Sequence, residues 1–175
     1  ILSPIRKGDK VLVHAAAGGV GTILIQLAKQ KGAIVIAKVG NSKKVDLAKE
    51  LGADHVINYR ANDYSAELSS ILKGDSIDIS YNAVGGATFK KDWKHLGAGG
   101  RLFIFGGAAL SGGKFGLLSA LNFLRKMGLI IPAGLMMSSR SILGVNMLKI
   151  ADNHPTIMNE ALKEVIQLYK NQKIK

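Results

Sequence analysis

The stretch Val11-Leu12-Val13-His14-Ala15-Ala16-Ala17-Gly18-Gly19-Val20-Gly21 constrains this chain more than any other. Val11 to His14 is a short apolar run with two β-branched residues, which predicts a buried strand. A glycine-rich turn follows at once. From Thr22 the apolar spacing turns helical through Ile23, Leu24, Leu27 and Ala28. Strand, glycine turn and helix in that order match the context in which G-x-G-x-x-G binds a dinucleotide, here written Ala16-x-Gly18-x-x-Gly21. Gly18 would let the backbone approach a pyrophosphate, and Gly21 would let the helix pack close to the strand. The free amides that open the helix would face the anion.

The same rhythm continues along the chain. Apolar runs at Ile34–Val39, His55–Tyr59, Ile77–Asn82, Arg101–Phe105 and Ser141–Asn146 predict five more strands. Helical spacing fills the intervals at Lys43–Leu51, Asp63–Leu72 and Thr88–Leu96, with Ser42 as an N-cap, and a last helix runs from Thr156 to Tyr169. Strands alternating with helices argue a parallel sheet covered on both faces. With a phosphate turn after the first strand, the fold expected is an α/β Rossmann doubly wound sheet of about six strands in order 3-2-1-4-5-6, one domain over residues 1–175. The segment Ser111–Ser139 breaks the rhythm with more apolar side chains than one crossover helix would bury. It reads as surface that meets a further domain, a partner subunit or a substrate.

An acid about twenty positions beyond the glycine motif takes the ribose 2′-OH in NAD sites. Here that region, Lys38 to Ser42, holds no acid, and Asn41, Ser42, Lys43 and Lys44 follow instead. Hydrogen-bond donors and cations suit a 2′-phosphate, which favours NADP(H). The chain carries 24 Lys and Arg against 12 Asp and Glu, but the basic residues are scattered and no aromatic residues interleave with them in a nucleic-acid pattern. Solvated helix faces, and not a nucleic-acid surface, are therefore expected. Cysteine is absent, which excludes disulfides and thiolate metal sites in this stretch and fits a cytoplasmic setting. No apolar run reaches the roughly 18 residues of a membrane span. The four histidines are scattered without zinc-ligand spacing, and His14 reads as a strand end.

Val13–Gly21, Gln26-Leu27-Ala28-Lys29 and Leu51-Gly52-Ala53-Asp54-His55-Val56-Ile57-Asn58-Tyr59 together resemble the zinc-free quinone oxidoreductase branch of the medium-chain dehydrogenase/reductase superfamily. Gly99-Gly100-Arg101-Leu102, Phe105-Gly106 and Ser139–Asn146 resemble its vesicle-amine-transport-protein-like members. The resemblance covers essentially the whole chain but only the family's cofactor domain, so the chain reads as a piece of a longer protein whose GroES-like substrate domain lies elsewhere. It implies that Gly18, Gly19, Val20 and Gly21 hold the pyrophosphate, and that Ser42, Lys44 and Tyr59 take the adenosine 2′-phosphate. Gly85, in the turn after the fourth strand, would lie near the cofactor ribose, and Phe105 and Gly106 beside the nicotinamide. The implied chemistry is hydride transfer from NADPH to a quinone or an α,β-unsaturated carbonyl. A zinc-type alcohol dehydrogenase relative and a non-enzymatic nucleotide-binding adaptor stand as alternatives. The resemblance also implies a homodimer through the Ser141–Val145 edge strand.

Overall fold

A computed structural model of the chain describes residues 4–106, 125, 128 and 130–175. Six strands form one parallel sheet: β1 (Lys10–Val13), β2 (Ile34–Val39), β3 (His55–Asn58), β4 (Ile77–Asn82), β5 (Leu96–Phe105) and β6 (Ser141–Val145). Their spatial order is β3-β2-β1-β4-β5-β6, the order expected from the sequence. In register, Val11 stands between Val35 of β2 and Ile79 of β4, and Leu12 between Ile36 and Ser80.

The helices among the described residues are α1 (Gly19–Gln30), α2 (Ser42–Glu50), α3 (Tyr64–Leu72), α4 (Ala87–His95), α5 (Pro132–Ser138), α6 (Met147–Asn153) and α7 (Pro155–Lys170). The chain steps outward from β1 to β3 and then crosses back to β4. Right-handed crossovers therefore put α1 and α2 on one face, and α3 and α4 on the other. On the α3/α4 face, Leu12, Ile36, Ile57, Leu68, Leu72, Phe89 and Leu102 form one buried cluster, with Ile142 of β6 packed against it. Each fully buried aliphatic side chain of this kind contributes about 1.5–3 kcal/mol.

Two compact units make up the chain, Ile1–Gly144 and Val145–Lys175. The second contains α6 and α7, which contact each other. No helix among the described residues is long and apolar enough to cross a membrane.

Several local expectations shift. Helix α1 begins at Gly19, three residues earlier than its apolar spacing predicts. Asn41 and not Ser42 caps α2: its Oδ1 accepts from the Lys44 amide at 3.0 Å. Both residue types are good caps, and the chain uses the first of the two. Strand β5 starts at Leu96, five residues before the expected Arg101, and takes in Gly97, Gly99 and Gly100, with an irregular register against β4 between Ile77 and Ile79. A Cβ at Gly100 would come within 2.7 Å of the Gly97 carbonyl oxygen and 2.8 Å of Leu96 Cδ1, so close approach requires glycine there. Asn146 ends no strand; its side chain accepts from the Lys149 amide and caps α6, a helix the sequence reading does not contain. Most of the apolar Ser111–Ser139 segment lies outside the described residues.

Candidate functional site

The carboxyl ends of β1, β2 and β3 meet at a cleft of about 200 Å³. Gly18, Ala15 and Ala17 from the glycine turn line it, together with Lys38, Val39, Gly40 and Asn41 at the end of β2. Lys44 from α2, and Tyr59 and Arg60 after β3, complete the wall. The turn is tightly built. Gly18 donates its amide to Ala15 O at 2.8 Å, and Ala16 N–H donates to Lys38 O at 3.2 Å, which ties the turn to β2. Helix α1 opens with no side chain capping its amides and no acid in its first turn. Val20 is 59% exposed, and a Cβ on Gly19 would meet nothing within 4 Å. An uncapped helix start facing open space, beside three cations, suits a phosphate-bearing ligand.

The structure brings Gly18, Lys44 and Tyr59 to one cleft, with Gly19, Val20 and Gly21 following in the first turn of α1. Ser42 is exposed but is not part of the cleft lining. Gly85 lies in the turn after β4, at φ +68°, and donates its amide to Asn82 Oδ1 at 2.9 Å. Phe105 ends β5 and Gly106 follows it at φ +81°; the space where a Gly106 Cβ would stand borders Ala83. These three residues sit at the ends of β4 and β5, beyond the cleft lining.

Beneath the cleft lies a buried polar network that the sequence reading misses. Lys38 follows Ile36 on the core-facing side of β2, and His14 follows Leu12 on β1. Asp92 of α4 is fully buried and accepts from Tyr64 Oη (2.5 Å), Ser80 Oγ (2.7 Å) and Asn82 Nδ2 (2.7 Å). His14 Nε2 stands 2.9 Å from the same carboxylate, while its Nδ1 faces Lys38 Nζ at 3.4 Å. That pattern assigns the ring proton to Nε2, with Nδ1 accepting from the lysine. Burial pushes the Asp92 carboxyl up, but the His14 ring and the hydrogen bonds from His14, Tyr64 and Ser80 outweigh it and hold the acid below the ordinary carboxylate value. Burial drives the Tyr64 hydroxyl far above its usual range. Lys38 offers one sequence signal, a charge inside an apolar strand. Asp92 offers none, because Lys90-Lys91-Asp92-Trp93-Lys94 reads as a solvated helix face.

Residues 19–170 match the zinc-binding dehydrogenase family. A probable quinone oxidoreductase of Leishmania amazonensis is 32% identical over 97% of this chain and 50% of its own length. A synaptic vesicle membrane protein VAT-1 homolog of Danio rerio is 30% identical over 98% of the chain and 35% of its own. Among solved structures, Escherichia coli quinone oxidoreductase complexed with NADPH superposes with a TM-score of 0.75 at 30% identity, covering 98% of this chain and 48% of that one. The chain thus spans half or less of the length of these relatives. A zinc ion does not fit the residues present. The chain has no cysteine, and the described residues hold no group of three or more His, Cys, Asp or Glu that could take a metal. A nicotinamide dinucleotide does fit, on the uncapped start of α1 and the cation-lined cleft beside it. The chain belongs to the zinc-binding dehydrogenase family, as a cofactor-binding domain of the quinone oxidoreductase branch of the medium-chain dehydrogenase/reductase superfamily.

Proposed function

We propose that this chain is the NADP(H)-binding domain of an oxidoreductase that delivers hydride to a quinone or an α,β-unsaturated carbonyl, its GroES-like substrate domain lying outside residues 1–175. The observation that carries the reading is the end of β2. Where an NAD site places an acid, the cleft presents Lys38, Asn41, Lys44 and Arg60. In this reading the amides of Gly19, Val20 and Gly21 bind the pyrophosphate, while Lys44 and Tyr59 take the adenosine 2′-phosphate, with Ser42 beside them at the start of α2. Gly85, Phe105 and Gly106, at the ends of β4 and β5, flank the nicotinamide half. The bound cofactor supplies a hydride, and a solvent proton completes reduction of the acceptor. The protein's share is to orient and to exclude competing reactions.

Calorimetric titration with NADPH against NADH tests the reading, followed by NADPH oxidation with a quinone in the intact protein. Lys44→Ala removes a charge-assisted contact to phosphate, worth about 1.5–3 kcal/mol. NADPH affinity should fall roughly ten- to hundredfold while NADH affinity barely moves. Equal losses for both cofactors would remove Lys44 from the 2′-phosphate site.

We also propose that β6 pairs with its counterpart in a second copy about a two-fold axis. It is the last strand of the sheet, and Ser141-Ile142-Leu143-Gly144-Val145 carries no charge or proline to block pairing. An edge strand leaves unpaired amides and carbonyls that require cover. Light scattering at tens of micromolar should find a dimer for the parent and a monomer for Leu143→Lys. A monomeric parent overturns the pairing.

A further inference from the structure

We propose that Lys38 is a specificity-determining residue for the phosphorylated cofactor: its ammonium lies beneath the Tyr59 ring at the adenosine end of the cleft, adds a buried positive charge there and holds that ring in place. The inference rests on the cofactor reading above.

Four observations carry it. Lys38 is only 6% exposed, yet it lines the cleft with Gly18, Asn41, Lys44 and Tyr59. Its Nζ stands 5.1 Å from the Tyr59 ring centroid and 4.1 Å from that of Tyr64, so two aromatic faces receive one cation. His14 holds the ammonium from below and hands the interaction on to Asp92. Finally, no carboxylate among the described residues comes within ion-pair distance of the Lys38 Nζ. The cation is therefore fixed in place without being neutralised by direct contact. A charge held this way in a partly dry site acts more strongly on a nearby phosphate than a solvated surface lysine does.

Lysine at this place also makes the preference depend on pH. Burial lowers the Lys38 pKa to about 8, against the opposing pull of Asp92 and with a smaller push from Lys91. The groups around it are His14 from β1, Tyr59 after β3, Tyr64 from α3, and Lys91 and Asp92 from α4, with Lys44 of α2 and Arg60 sharing the cleft. A phosphate monoester has its second pKa near 6, so the 2′-phosphate keeps its charge above pH 7. Loss of the Lys38 proton is then what weakens the phosphorylated cofactor.

Dissociation constants for NADPH and NADH, measured on the intact protein from pH 7 to about 9.5, test this. The NADPH preference should fall by about tenfold across that range, the size expected for one charge-assisted contact. Lys38→Met should show the reduced preference at every pH. Lys38→Arg, which does not titrate, should keep the preference with a flat profile. A wild-type preference that stays constant, or a pH profile that persists unchanged in Lys38→Met, overturns the role of Lys38 and leaves the cofactor reading standing. Binding of neither cofactor by the wild type overturns both. Should Lys38→Met fail to fold, the wild-type and Lys38→Arg profiles decide alone.

Discussion

Replacing Asp92 with alanine should cost about 3–5 kcal/mol of folding stability, the penalty for stripping one partner from a buried charged pair. The carboxylate is the acceptor for Tyr64, Ser80, Asn82 and the His14 ring, and the opposing charge that Lys38 feels. Truncation leaves those donors without an acceptor in a site water does not reach. Urea unfolding at neutral pH measures the loss, and a cost below about 1 kcal/mol would show that the network carries no weight. A double-mutant cycle sharpens the result: in a Lys38→Met background the cost of Asp92→Ala should shrink, because no buried ammonium remains to be stranded. The pH dependence follows from the two shifts. Asp92 has a depressed pKa, so its contribution is present above the ordinary carboxylate range and is lost as the pH falls through its folded value. Lys38 is depressed from 10.5 to about 8, so the unfolded chain holds that proton more tightly. Its contribution is least favourable below pH 8 and improves as the pH rises towards 10.5.

The second large effect concerns the glycine turn. A Cβ at Gly21 would stand 2.7 Å from Ala16 Cα and 2.8 Å from Ala16 C, and would overlap the Ala15 carbonyl oxygen. Gly21→Val must therefore drive α1 away from the turn. Stability should drop by about 1–3 kcal/mol, as for other overpacked sites. Cofactor affinity should drop by about a hundredfold, the scale of effect seen when binding groups move by an ångström. Gly19→Val separates the two losses. Nothing lies within 4 Å of a Cβ there, so the fold should be untouched while a ligand phosphate would be displaced. Thermal unfolding and NADPH titration on both variants supply the readings, and a Gly19→Val protein that binds NADPH normally would move the pyrophosphate away from this turn.

The sheet was legible in the sequence because a parallel sheet buries both faces. Val11–Val13 and Ile34–Val39 stand out as continuous apolar runs, and the glycine turn fixes which strand is central. Local signals point to Gly18 and Lys44, because the glycine motif and the start of α2 mark them, whereas Tyr59, which also lines the cleft, follows only from the family resemblance. They failed where partners are distant. Asp92 meets His14 across 78 positions and Tyr64 across 28, and nothing in its helix marks it as buried. Lys38 was visible only as a charge out of place. Its meaning depends on His14 and two aromatic rings brought in by three other segments. The start of β5 was hidden for a different reason. Glycines at 97, 99 and 100 look like turn residues, and only the neighbouring Ser76 and Leu96 side chains show that the strand needs Gly97 and Gly100 small, while Gly99 has open space around it and takes a φ of +77°.

The central place of β1 has a consequence for synthesis on the ribosome. Residues 10–58 complete β1, β2 and β3, which pair with one another through consecutive registers. The other edge of β1, from Val11 to Val13, finds its partner only when Ile79 to Tyr81 emerges. At roughly 5–20 residues per second, that edge stays open for seconds on each nascent chain. An apolar strand edge exposed that long invites pairing with other chains. Slowing translation between residues 59 and 76 should therefore lower the yield of folded protein more than an equal delay after residue 82.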